Sequence, residues 1–172
     1  MKKLPFVLLI LLFSFSSLIA QQISVKAAFL EKWVNSKNYL IEIAETMPED
    51  AFNFKPTERQ MSFKEQLLHI KGNMAWLSTS YFTDIKYEKA EFPLNISKSE
   101  TINELEKGFD WVTQLIEKTS DKDLKETVEF FAGPKSKLQI LNLMQDHVTH
   151  HRGQLIVYLN LNKINPPNYI GW

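Results

Sequence analysis

The chain has 172 residues, with 20 basic and 20 acidic side chains, 44% hydrophobic residues and no cysteine. That length and apolar content suit one domain of ordinary size with a real core, and the even charge excludes the broad positive field that draws proteins to nucleic acid. Without cysteine there are neither disulfides nor a lipid-attachment thiol, and any metal must be held by nitrogen and oxygen.

In chain order, the first feature is Lys2 and Lys3, an apolar stretch over residues 4–12, a serine-rich stretch, and Ala20 before Gln21 and Gln22. This predicts a secretory signal peptide over residues 1–20, hence an exported protein, periplasmic or secreted. A retained membrane anchor is the other reading if the apolar run is extended through Ile19, against which its serines and shortness count. Leu18 stands where a small residue is usual before a cleavage site, so the cut is less well marked than export itself. Removal of the segment takes Lys2 and Lys3 with it and leaves a slightly acidic mature domain over residues 24–172.

Four stretches with helical spacing follow, and none shows sustained alternation of the strand kind. The first covers residues 24–47, with Val25, Phe29, Trp33, Leu40, Ile43 and Met47 turned inward before Pro48 closes it. The second opens at Ser62 with Glu65 three residues on, the spacing of a capping box, and carries Phe63, Leu67, Ile70, Met74, Leu77 and Tyr81. The third opens at Ser97 with Glu100, continues through Ile102, Leu105, Phe109, Val112 and Ile116, and ends near Thr119. The fourth opens at Ser136 with Gln139 and runs through Ile140, Leu143, His147, His151, Leu155 and Tyr158 to about Asn162.

Helices of roughly 20 residues are each about 30 Å long and can pack side by side, which predicts an all-α four-helix bundle. Residues 84–98 are too many for a tight hairpin and predict a crossover that makes the second and third helices parallel. Residues 120–135 form an equally long linker, in which 127–131 are candidates for a short extended piece.

Three of the four histidines fall within HVTHHRGQLIVYL, as His147, His150 and His151. His147 and His151 are four residues apart, about 40° around a helix, so their rings leave one face close enough to share an ion. His150 lies about 60° to 100° from its neighbours and does not join them. Such a pair alone is a weak signal, more often hydrogen-bonded polar residues of a core than metal ligands. His69, on the second helix with Asn73 and Trp76 on its side, completes a three-nitrogen set if that helix packs beside the fourth; otherwise it is a half-exposed flank residue. Three imidazoles leave coordination positions open, as catalytic rather than structural metal sites do.

The segments FKPTERQMSFKEQLLHI, HVTHHRGQLIVYL and LNKINPPNYIGW resemble the DinB/YfiT-like superfamily over nearly all of the mature chain. The resemblance implies a bundle with a long overhand connection between helices two and three. It also implies a divalent metal, zinc or nickel, on His69, His147 and His151, and pairing into a homodimer through bundle faces. Gln154 and Tyr158 continue the face of the histidine pair, and Asn73 and Trp76 that of His69, so these four are candidates to line a pocket. Trp76 and Tyr158 suit a core equally well, and Gln154 with Arg152 and Gly153 suits helix packing. Asp146 faces away on its own helix and would orient an imidazole only from another element.

An open metal position activates water or a thiol, or polarises a substrate oxygen, and the resemblance implies a hydrolase or transferase for a small molecule. Export weighs against a cytosolic thiol as co-substrate. The competing reading is a bundle that binds a metal or ligand without turnover, because no carboxylate falls on the inward face of either histidine-bearing helix. DNA-related activity, suggested by the family's name, has no basic stripe with interleaved aromatics to support it.

Overall fold

The computed structural model describes residues 23–89 and 95–171. The expected signal peptide lies outside them, as does part of the expected crossover. Among the described residues no helix is long and apolar enough to cross a membrane.

Among the described residues four long helices make up the domain: α1 (Val25–Thr46), α2 (Phe63–Phe82), α3 (Lys98–Lys118) and α4 (Lys137–Leu161). Each start follows from a serine whose side chain accepts from an amide three residues on: Ser24, Ser62, Ser97 and Ser136. In the last three, the side chain of Glu65, Glu100 or Gln139 returns the bond to the serine's own amide, completing the capping box. The first amides of α2 are satisfied further by the preceding loop, where Phe63 N–H donates to Phe54 O and Lys64 N–H to Phe52 O. At the other end of α1, Lys98 Nζ donates to the carbonyls of Glu45 and Met47 at 2.8 and 2.6 Å, so one lysine closes that helix and begins α3.

Contacts between helices fix their directions. Lys64 reaches Ile96 O at 2.8 Å, Lys71 pairs with Glu104 at 3.3 Å, and Met74 meets Gly108, so α2 and α3 run parallel, as the long connection allows. Met61 and Gln66 meet Tyr158, while His69 meets His147, so α2 and α4 run antiparallel. Trp33 Nε1 donates to Phe109 O, and Lys26 reaches Thr119 O, which makes α1 antiparallel to α3. The result is a four-helix bundle in which α2 and α4, separated by the whole of α3 in sequence, are neighbours in space.

Trp33 sits in the middle of the core, wholly buried between Phe29 and Phe109 with ring centroids 5.3 and 4.8 Å away. Most of the predicted inward residues are buried with it, but Val25 and Leu143 are exposed. Val25 is the first residue of its helix. Leu143 stands one turn before His147 on the stripe that faces α2, where the groove between the helices opens to water.

The linker before α4 holds a small antiparallel pair, β1 (Thr127–Val128) with β2 (Lys135–Ser136), and Thr127 stands opposite Ser136. Extended pairing thus stops at Val128 instead of continuing to residue 131. Phe130 and Phe131 belong to the turn, where Gly133, at φ +88°, takes the left-handed conformation that closes it.

Candidate metal centre

His69 comes from the middle of α2, and His147 and His151 come from the middle of α4. Their ring centroids form a near-equilateral triangle of 4.9, 4.6 and 4.4 Å. One nitrogen from each ring lies within 4.8 Å of the others, and His69 Nε2 is 3.0 Å from His147 Nε2. At that distance the two nitrogens form a hydrogen bond in which one ring donates and the other accepts.

The ring of His151 is fixed from behind. Its Nδ1 lies 2.5 Å from Gln66 Oε1, which accepts the ring proton and leaves the Nε2 lone pair free. Gln66 is itself locked: its Nε2 donates to Gln154 Oε1 at 2.8 Å and to Tyr158 Oη at 3.3 Å, while Tyr158 Oη donates to Met61 O at 2.9 Å. This network decides the orientation of the amide and with it the tautomer of His151.

Burial holds the pKa of His147 down to about 4, helped by the neighbouring His69 and His150. Burial and then the other three imidazoles hold His151 down to about 3. His69 is more open to solvent, yet partial desolvation of its ring also draws its pKa below the ordinary value. All three are therefore neutral near pH 7, the form in which imidazole donates to a metal. Zinc–nitrogen bonds of about 2.0–2.1 Å place tetrahedral ligands about 3.3 Å apart, so modest ring rotations bring these nitrogens onto one ion. The set fits a divalent metal: all-nitrogen, neutral, and graded from buried His151 to exposed His69, which leaves one side open.

The other predicted residues have different places. Gln154 reaches the centre through Gln66, and its Nε2 donates to His150 Nε2 at 2.8 Å. His150 is exposed and stays outside the triad, its ring edge-on to His151. Tyr158 is only 2% exposed, so it supports Gln66 from the core instead of lining an open pocket. Its neighbour there is Phe54 of the loop, which meets the tyrosine ring edge-on at 6.0 Å and covers it. Asn73, one turn past His69, is half-buried and its Oδ1 has no partner. Trp76 is half-buried and stacks on Phe130 and Phe131, with centroids 6.1 and 6.3 Å away. Arg152 points to the far side of α4, where its guanidinium lies 5.0 Å over Tyr39. Asp146 is exposed.

Gln66 is the residue that sequence reasoning missed. Its signal was present: it stands three residues before His69, on the same face, as a polar residue flanked by the inward Phe63, Leu67 and Ile70.

Comparison with known proteins agrees with this architecture. A structure of a DinB-like protein from Bacillus cereus ATCC 10987 superposes with a TM-score of 0.73 at 17% identity, covering 83% of this chain and 95% of the other. A DinB-like protein from Bacillus subtilis, YjoA, gives 0.67 at 17% identity, covering 83% and 96%. By sequence, Uncharacterized protein YjoA of Bacillus subtilis (strain 168) is 27% identical over 135 residues, covering 74% of this chain and 84% of its own length. The family model of the DinB family matches residues 21–168, a stretch that includes all four helices and all three histidines of the centre. The chain belongs to the DinB family.

Proposed function

We propose that this protein binds one divalent metal ion, zinc or nickel, through His69, His147 and His151 and uses it to act on a small molecule as a hydrolase or transferase. The observation that carries this reading is the convergence of three neutral imidazoles from two helices, one of them pinned by Gln66, with the His69 side open to solvent. When bound, such a metal supplies a Lewis acid that polarises a substrate oxygen or lowers the pKa of water or a thiol. The chain's own part is to hold the ligand set. Gln66 fixes His151, Tyr158 and Gln154 fix Gln66, and the apolar core beneath keeps water from the buried edge.

A second reading is favoured by one specific feature. Among the described residues the metal-ligating cluster contains no carboxylate, so no obvious general acid or base stands beside the ion. That suits a bundle which binds metal or ligand without turnover.

Elemental analysis of the purified chain and of His147→Ala comes first. About one transition metal per chain, lost in the variant, supports the centre, and no uptake from excess zinc or nickel refutes it. A panel of esters, amides and thiol acceptors then separates the two readings. Turnover that needs metal and vanishes in His151→Ala identifies an enzyme, whereas a full metal complement without turnover favours binding alone.

We further propose export, on the basis of Lys2, Lys3 and the apolar stretch after them. A fusion of the first residues to a reporter active only outside the cytoplasm tests it, and a silent fusion refutes it.

A further inference from the structure

Seven residues, just under two turns, separate His69 from Trp76 on α2, which puts both on one face about 10 Å apart along the axis. Helical side chains lean toward the N-terminus of their helix, so the indole of Trp76 leans toward His69. Across the groove, Leu143 stands one turn from His147 and is 38% exposed despite lying on the inward stripe. Because α2 and α4 are antiparallel, Trp76 and Leu143 flank the same end of the groove.

The hairpin turn closes that end with aromatic rings. Phe130 and Phe131 lie 4.3 Å apart and both stack on Trp76, with interplanar angles of 25° and 24°. Phe131 is 82% exposed, the largest exposure among the big apolar side chains described. Between the histidines and this wall stands Asn73, whose buried Oδ1 has no partner. An aromatic stack with an open ring and a solvent-facing leucine opposite thus continue from the metal-ligating face.

We propose that the groove selects small molecules made of a metal-binding head and a flat apolar body, the head at His69, His147 and His151 and the body against Trp76, Phe131 and Leu143. The span from His69 to Trp76, about 10 Å before the indole's lean, suits a single ring on a short head group. A flat body also suits this wall, where Phe130 and Phe131 are tilted by 41° to each other but each lies within 25° of the Trp76 plane, so a further ring can stack on an exposed face. This inference rests on the metal reading above and names the substrate class for that site.

Two hydroxamates test it, because both carry the same head and only one carries a ring. The full-length chain is loaded with zinc, its zinc content is measured, and the dissociation constants of acetohydroxamate and benzohydroxamate are determined by calorimetry. Benzohydroxamate is expected to bind about tenfold more tightly, the gain of one good ring stack with its buried area. Phe131→Ser, at an exposed position, is expected to reduce that ratio several-fold while zinc content and acetohydroxamate affinity stay unchanged. Zinc content near one with equal affinities, or with neither compound binding, overturns the aromatic groove and leaves the metal centre standing. A ratio unchanged in both Phe131→Ser and Leu143→Ser also overturns it. Failure to take up either zinc or nickel overturns the metal reading, and this inference falls with it.

Discussion

Replacing Gln66 by leucine is the sharpest probe of how the centre is held. The variant keeps a side chain of similar volume but removes the acceptor for His151 Nδ1, 2.5 Å away, and both donors to Gln154 and Tyr158. At a position 2% exposed, with His151 itself 7% exposed, water has little room to replace these partners. Leaving a buried donor or acceptor unsatisfied costs about 1–3 kcal/mol, so the metal-free variant should be destabilised by about that amount in denaturant titration. The second effect is on the ion. Without Gln66 the ring proton of His151 is free to move to Nε2, and the nitrogen that faces the other histidines then loses its lone pair. Loss of such an outer partner typically costs about 10–100-fold in metal affinity. Zinc affinity from chelator competition, with the His151 tautomer from ring-nitrogen NMR shifts, reads this directly. A folded Gln66→Leu protein that binds zinc as tightly as the parent would refute the reasoning.

Three further outcomes follow from other parts of the molecule. His147 and His151 are held at about 4 and about 3 when folded and return toward 6.5 when unfolded, so between those values the unfolded chain binds more protons. The metal-free protein should therefore lose stability as pH falls from 6.5 to 5, above the range of most carboxylates; a thermal midpoint flat over that window, or a loss that persists in His147→Leu/His151→Leu, would contradict it. Ser62→Ala removes the acceptor for Glu65 N–H and unhooks the capping box that starts α2, which should cost about 1 kcal/mol by urea denaturation. Trp33→Ala empties the centre of the core and leaves Phe109 O without its indole partner, so a loss of about 3–5 kcal/mol is expected, with insoluble expression as the extreme form.

Much of the bundle was legible because local signals agreed with it. The pairs Ser62 with Glu65, Ser97 with Glu100 and Ser136 with Gln139 mark three helix starts to the residue, since a capping box is a local device that needs no tertiary contact. The parallel course of α2 and α3 was suggested by the length of their connection, but an equally long linker joins the antiparallel α3 and α4, so the resemblance had to decide between them. His147 and His151 were readable as a pair because four residues on a helix fix their relation. The addition of His69 depended on which helices became neighbours, a question that periodicity leaves open and resemblance answered. What escaped was set across elements. Gln66 has its role only because α4 places His151 and Tyr158 beside it. Leu143 shows an inward period, yet it meets an open groove instead of a core, and nothing in its own helix says so. The pairing of Phe130 and Phe131 with Trp76 depends on a turn whose shape is decided by Gly133.

The adjacency of α2 and α4 has a consequence for how the molecule matures. The histidine from α2 must wait for a partner helix that follows it only after all of α3 has been laid down. Joining segments so distant in sequence comes after the helices themselves have formed, because a long loop must close before any contact rewards it. A ribosome-bound chain that has not yet emerged through His151 has no complete ligand set to offer. An ion at this centre would then act as a late clasp, bound only once the order of helices is right, and its uptake would report the completion of folding.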